Sequence, residues 1–245
     1  MRTFDEPRLN IAHRGASAVA PENTLAAFER ALQLGADGVE LDVQFSRDFQ
    51  AVVIHDDTLN RTTDGDGQVS RRTLAELQSL DAGSWFSAQF VGEKIPTLEQ
   101  VLAFADGKLL LDIEIKKCRD SARLAQAVVD LLAPYDPEHY LITSFDPMAV
   151  EHVKAARAEL RTGLLFNRLK RSCFQGSWDF VVPHHRLIKD RFRELAGSKK
   201  IMTWTVDDET EMRQLLAGGV GGIITNRPDI LKKVMLEPKI GLTIT

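Results

Sequence analysis

Residues 10–45 read NIAHRGASAVAPENTLAAFERALQLGADGVELDVQF, and within them the hydrophobic period changes twice. NIAHR (10–14) and GVELDVQF (38–45) are apolar runs of strand length. Between them TLAAFERALQLG (24–35) sets Leu25, Phe28 and Leu32 on one helical face, with Asn23 or Thr24 as the N-cap and Gly35 as the stop. This strand, helix, strand order recurs along the chain. Further strand candidates are LLLDIEIK, YLITSF, TGLLF, DFVVP, KIMTWTV and GGIIT, separated by helical stretches such as SARLAQAVVDLLA, PMAVEHVKAARAEL and DETEMRQLLAGG. Apolar strands alternating with amphipathic helices imply a parallel sheet covered by helices. Eight strand signals in 245 residues match a closed (β/α)8 TIM barrel better than an open doubly wound sheet.

One strand breaks the rhythm. AVVIHD follows GVELDVQF after only a few residues around Arg47 and Asp48, too few for a parallel crossover, so it is expected to return antiparallel as a hairpin. That return sets His55 opposite Leu41 or Asp42. Residues 57–97 then change character, rich in Gly, Thr, Ser and Asp with one helical patch near Leu74 to Leu80. We read them as a small capping insertion within a single barrel domain spanning residues 1–245, because the loops after barrel strands build such sites. Trp85 and Phe86 in this insertion line the outer end of a substrate or, the favoured reading, hold the cap down.

Composition narrows the function. The chain is 44% hydrophobic and 27% charged, with a net charge of −4, which suits a globular domain and gives no broad basic face for nucleic acid. No run is long enough for a membrane span, and MRTFDEPRLN lacks the layout of a signal peptide. The two cysteines, Cys118 and Cys173, have no neighbour at metal-binding spacing, which favours free thiols and a cytoplasmic protein. Nothing in the sequence fixes an oligomeric state.

Side-chain alternation gathers the chemistry. On GVELDVQF, Glu40 and Asp42 share one face while Val39, Leu41 and Val43 take the other; on LLLDIEIK, Asp112, Glu114 and Lys116 share a face. Glu40, Asp42 and Glu114 offer carboxylate oxygens and no thiolate, a set suited to Mg²⁺ or Ca²⁺, or else they form structural ion pairs with Lys116 or Arg14. His13 and His55 close short apolar strands, where a pair of imidazoles can work as acid and base as well as serve as hydrogen-bonding residues. His139, His152, His184 and His185 are left as structural or surface residues. A phosphate would explain Arg14 and Lys116 among so many acids, although Lys116 has a second reading as a neutraliser of Glu114 or Asp112. Gly15 would let the loop backbone approach a ligand. Trp204 should share a face with Met202 and Val206, and with Phe145 it forms either an apolar wall for a small alcohol or part of the barrel core.

Taken together, HRGASAVAPENTLAAFERALQLGADGVELDVQFSRD, VVIHDDTLNRTT, IEIK, SFD and WTV resemble the glycerophosphodiester phosphodiesterase family, in its short bacterial cytosolic form. The resemblance runs through nearly the whole chain. It implies a metal-dependent barrel hydrolase that splits small glycerophosphodiesters, such as glycerophosphocholine or glycerophosphoethanolamine, into sn-glycerol 3-phosphate and an alcohol. It further implies Glu40, Asp42 and Glu114 as metal ligands, His13 and His55 as acid and base, and Arg14 and Lys116 as phosphate contacts. Two departures stand out: Asp48-Phe49 where the family has Asp-Gly, and Asp207 where it has Asn after Trp-Thr-Val. Rival readings are a lysophospholipase D with an apolar channel between Trp85, Phe86 and Phe90, a lyase or aldolase using Lys116, and a non-catalytic phosphoester-binding module.

Overall fold

Strand β1 (Leu9–His13) pairs in parallel with β2 (Gly38–Phe45) on one side and with the last strand, β9 (Gly222–Thr225), on the other, which closes the sheet into a ring. The computed structural model describes residues 2–118, 120–189 and 192–237. Among them the ring continues through β4 (Leu110–Ile115), β5 (Tyr140–Ser144), β6 (Arg161–Phe166), β7 (Phe180–Pro183) and β8 (Lys200–Thr203), all parallel. This is the TIM barrel expected from the alternation. The remaining strand, β3 (Ala51–Val53), runs antiparallel to β2 with Val43 opposite Val53. Carried two residues further, that register places His55 opposite Leu41, as the short turn required.

Alternation divides each strand between two cores. Leu9, Ile11, Leu110, Leu141, Phe180 and Met202 fill the barrel interior, while Val39, Leu41, Val43, Leu111, Ile113 and Ile115 pack outward against helices. Each such side chain, removed from water, is worth about 1.5–3 kcal/mol relative to exposure. Helix α1 (Leu25–Gln33) shows how close that packing is. Its buried face is Ala27, Phe28 and Ala31, and Leu32, expected inward, is exposed, because small alanines let the helix lie closer to the sheet. Thr24 is the N-cap, its hydroxyl accepting from Ala27 N. The glycine at 15 is consumed by the same approach. A Cβ there would lie 2.7 Å from the Ala27 backbone, so Gly15 admits α1 rather than a ligand.

The later helices are α4 (Ser121–Leu132), α5 (Pro147–Ala156), α6 (Phe192–Ala196), α7 (Glu209–Ala217) and α8 (Pro228–Leu236). Within residues 57–97, α2 (Leu74–Ser79) starts from a capping box at Thr73 and Glu76; α3 (Leu98–Ala105), just beyond, starts from another at Thr97 and Gln100. Leu59, Val69, Leu77, Ala82 and Ile95 form a small core against Val52 and Ile54 of the hairpin. Trp85, Phe86 and Phe90 meet edge to face, and the Trp85 indole N–H donates to Ala82 O at 2.9 Å. At the hairpin turn Phe49 sits at φ 58°, where glycine is at ease. Its ring compensates by packing edge to face on Phe45 and lying 3.6 Å below the Arg123 guanidinium carbon.

Candidate active site

Parallel register between β2 and β4 aligns Glu40 with Asp112 and Asp42 with Glu114, and register between β1 and β2 aligns His13 with Glu40. Carboxylate oxygens of Glu40, Asp42 and Glu114 all lie within 4.8 Å of one another, and all three residues are buried. Two cations answer them. Lys116 Nζ lies 3.0 Å from Glu114 and 3.2 Å from Asp42, leaving Asp112 out. Arg14 lies 3.2 Å from Asp42 through Nε and 2.8 Å from Glu22 through Nη1, and its backbone N–H donates to Glu40 at 3.0 Å.

Two cations do not neutralise four buried carboxyls, and the electrostatics show the surplus. Burial, with Asp42 close by, holds Glu40 well above the usual carboxylate range and raises Glu114 to about 7; burial raises Asp112 to about 8. For Asp42 burial pushes the same way, but Lys116 and Arg14 outweigh it and the carboxyl stays low. Asp112 accepts from the Thr143 hydroxyl at 2.8 Å through Oδ1, while its buried Oδ2 has no partner. Three converging hard oxygen donors with excess negative charge fit a divalent cation of the Mg²⁺ or Ca²⁺ type.

A stability prediction follows from these shifts. Glu40, Glu114 and Asp112 hold protons in the folded state that the unfolded chain has released by about pH 4–5. Their stabilising contribution is complete below that range and is lost as pH rises to about 8. His13, lowered to about 4 by burial and by Arg14, opposes this trend only below its ordinary value near 6.5. Thermal melts of EDTA-treated protein should therefore fall between pH 6.5 and 8, with added Mg²⁺ or Ca²⁺ raising them most at pH 8. A melting temperature flat across that range and indifferent to cation would contradict this charge balance.

Each histidine is anchored from behind. His55 Nδ1 lies 2.6 Å from Asp56 Oδ1, a carboxylate that can only accept, so Nδ1 carries the proton. His13 reaches the same state in two steps. The Asp207 carboxylate accepts from Asn226 Nδ2 at 2.7 Å, which turns the amide oxygen toward His13 Nδ1, also at 2.7 Å. The neutral His13 ring then leaves Nε2 as an acceptor. Asp207 thus stands behind the site as a support, which answers the question its departure from Asn raised. Asn23 performs the same service for Asp42, donating at 2.8 Å and accepting from its backbone N–H. Gln44 Nε2 donates to Ile54 O and Asp56 O, each at 2.8 Å, fastening the segment that carries His55.

A cavity of about 180 Å³ collects these groups: His13, Arg14, Glu40, His55, Asp112, Glu114 and Lys116 line it together with Thr143, Phe145, Leu165, Trp204 and Ile224. Phe145 and Trp204 meet edge to face at 5.5 Å, and the indole N–H donates to Val182 O, so both side chains form one apolar wall. Strand β8 ends at Thr203, however, and the expected alternation stops with it. Val206 packs with the outer core and not beside Trp204. Trp85, Phe86 and Phe90 do not line the cavity.

The chain matches the family model described as "Glycerophosphoryl diester phosphodiesterase family" over residues 13–230, a span that begins at His13. It is 38% identical over 242 residues to a glycerophosphodiester phosphodiesterase of Caldanaerobacter subterraneus subsp. tengcongensis, covering 91% of this chain and 96% of that one. The chain belongs to the glycerophosphoryl diester phosphodiesterase family. As a glycerophosphodiester phosphodiesterase it is a phosphoric diester hydrolase. Its barrel superposes on a phosphodiesterase of Oleispira antarctica, solved in complex with the product sn-glycerol-3-phosphate, with a TM-score of 0.88 at 31% identity, covering 94% of this chain and 97% of the other. A glycerophosphodiester phosphodiesterase from Agrobacterium tumefaciens, also 31% identical, gives a TM-score of 0.77 over 91% of this chain and 98% of its own. Among the described residues no helix is long and apolar enough to cross a membrane.

Proposed function

We propose that this phosphodiesterase hydrolyses small deacylated glycerophosphodiesters, such as glycerophosphocholine and glycerophosphoethanolamine, to sn-glycerol 3-phosphate and the free alcohol. The observation that carries the reading is one cavity lined by Glu40, Glu114, two cations and two histidines held from behind through Nδ1, with the Asp42 carboxylate buried directly against Glu40 and Glu114. Glu40, Asp42 and Glu114 hold Mg²⁺ or Ca²⁺, which supplies Lewis acidity against the charge developing on phosphate oxygens. Arg14 and Lys116 grip the phosphate. His13, neutral with its Nε2 lone pair facing the site, takes the proton from the attacking hydroxyl of water or of the glycerol 2-position as the new O–P bond forms. Where the 2-hydroxyl attacks, the product is a cyclic phosphate, and water then adds to phosphorus as the bond to the 2-oxygen breaks, giving sn-glycerol 3-phosphate. His55 has a carboxylate at Nδ1 to support positive charge, as in a Ser-His-Asp triad, and gives a proton from Nε2 to the departing alkoxide as the old P–O bond breaks. Phe145 and Trp204 shield one side of the substrate from water.

The protein acts as one barrel domain in which residues 57–97 brace the hairpin bearing His55. Its two free cysteines support a cytoplasmic setting. A lysophospholipase D is disfavoured because Trp85, Phe86 and Phe90 pack on one another and stay out of the cavity. Parallel assays on glycerophosphocholine and lysophosphatidylcholine should give kcat/KM higher for the deacylated compound by on the order of 100-fold, a difference of about 2.7 kcal/mol in transition-state binding. Equal or inverted rates would move the assignment to acylated substrates.

A further inference from the structure

We propose that Arg61 of the insertion is a positioning residue for both walls of the cavity, holding Asp56 against His55 and Glu22 against Arg14. The inference rests on the roles of His55 and Arg14 given above. Arg61 Nε lies 2.7 Å from Asp56 Oδ2 and Nη1 lies 2.7 Å from Glu22 Oε2. Its third nitrogen, Nη2, donates to Asp56 Oδ1 at 3.0 Å and to Glu22 Oε1 at 2.8 Å. Those two oxygens are the ones that touch His55 Nδ1, at 2.6 Å, and Arg14 Nη1, at 2.8 Å. One planar group therefore sets the rotation of both carboxylates, and each carboxylate aims one cavity-lining side chain. A lysine has a single nitrogen and no fixed plane, so it cannot hold two carboxylates at these angles.

A purely structural role explains the arrangement less well. The Arg61 side chain is 43% exposed against 27% for Asp56 and 12% for Glu22, and ion pairs with an arginine this open to solvent add little stability. The insertion already has an apolar anchor in Leu59, Val69, Leu77, Ala82 and Ile95, and Thr62 and Thr63 beside Arg61 are buried. Removing the guanidinium should leave the fold and lose the alignment.

The test compares Arg61→Ala, Arg61→Lys, Asp56→Asn, Glu22→Gln and the two doubles with Arg61→Ala, assayed on glycerophosphocholine at saturating divalent cation, with His55→Ala alongside. Arg61→Ala should lower kcat by about 10–100-fold, the size of effect seen for groups that orient catalytic ligands, and raise KM several-fold, with an unchanged melting temperature. Guanidinium ion at non-denaturing concentration should recover part of the lost activity, whereas Arg61→Lys should recover little. In the Asp56→Asn background Arg61→Ala should cause no further loss of kcat, and in the Glu22→Gln background no further rise in KM. Near-wild-type kcat and KM in Arg61→Ala, full activity in Arg61→Lys, or additive losses in the doubles would overturn the proposal. Should Arg61→Ala fail to fold, the folded Arg61→Lys decides the matter by the same criterion. If His55→Ala itself stays active, the functional reading fails; if only the Arg61 variants stay active, that reading stands and this inference alone falls.

Discussion

His13→Ala and His55→Ala should each reduce kcat on glycerophosphocholine by about 10²–10⁴-fold, the range supplied by a positioned general acid or base. The two losses have different origins. His13 is half-buried, its imidazole kept neutral by desolvation and by Arg14, with Nδ1 engaged by Asn226 and Nε2 3.9 Å from Glu40, beyond hydrogen-bond reach. Removing it leaves the nucleophile's proton without an acceptor. His55 is backed by Asp56, and its removal leaves the alkoxide to depart without a proton. A substrate whose alcohol is already a good leaving group, such as a p-nitrophenyl phosphodiester, needs that proton less. His55→Ala should therefore be impaired far less on p-nitrophenyl substrates, whereas His13→Ala should be impaired on both. Initial-rate kinetics on the paired substrates check this, and equal defects for the two variants on both substrates would reverse or merge the assigned roles.

Substitution of Glu114 by Gln should lower turnover by on the order of 100-fold or more and weaken the response to added divalent cation. The neutral amide keeps the shape of the side chain and removes one of three charged ligands. Loss of folding will not explain the result, because Glu114 is strained as an anion in the metal-free protein, its carboxyl pushed up to about 7. Lys116 retains Asp42 as a partner. EDTA-treated Glu114→Gln should thus melt no lower than EDTA-treated wild type at pH 8 while being far less active. Cation titrations of activity and of melting temperature in both proteins provide the measurement. A variant with full activity and an unchanged cation response would remove Glu114 from the metal site.

Much of this was legible because strands obey a period of two. Once GVELDVQF and LLLDIEIK are read as strands, the faces bearing Glu40, Asp42, Glu114 and Lys116 follow, and a turn too short for a crossover brings His55 back to them. Failures came where a side chain's environment depends on distant chain. Leu32 lies outward because alanines on α1 approach the barrel, and Val206 leaves the Trp204 face because β8 ends at Thr203. Helix α3 has its own sequence signal in the Thr97-to-Gln100 capping box, set too close behind the insertion for the strand-helix alternation to single it out. The residues that orient the site were the least legible. Asn23 meets Asp42 across 19 residues and Arg61 meets Glu22 across 39 because β1 pairs with β2, whereas Asn226 meets His13 across 213 only because β9 closes the barrel against β1.

The central claim, that a divalent cation held by Glu40, Asp42 and Glu114 makes this barrel a phosphodiesterase, is met most directly by one assay. Protein stripped with EDTA is given glycerophosphocholine, and ³¹P NMR follows the phosphorus before and after Mg²⁺ or Ca²⁺ is restored. EDTA should abolish turnover, and restored cation should convert the diester signal to that of sn-glycerol 3-phosphate. Undiminished turnover in EDTA, or phosphocholine as the phosphorus-bearing product, would contradict it.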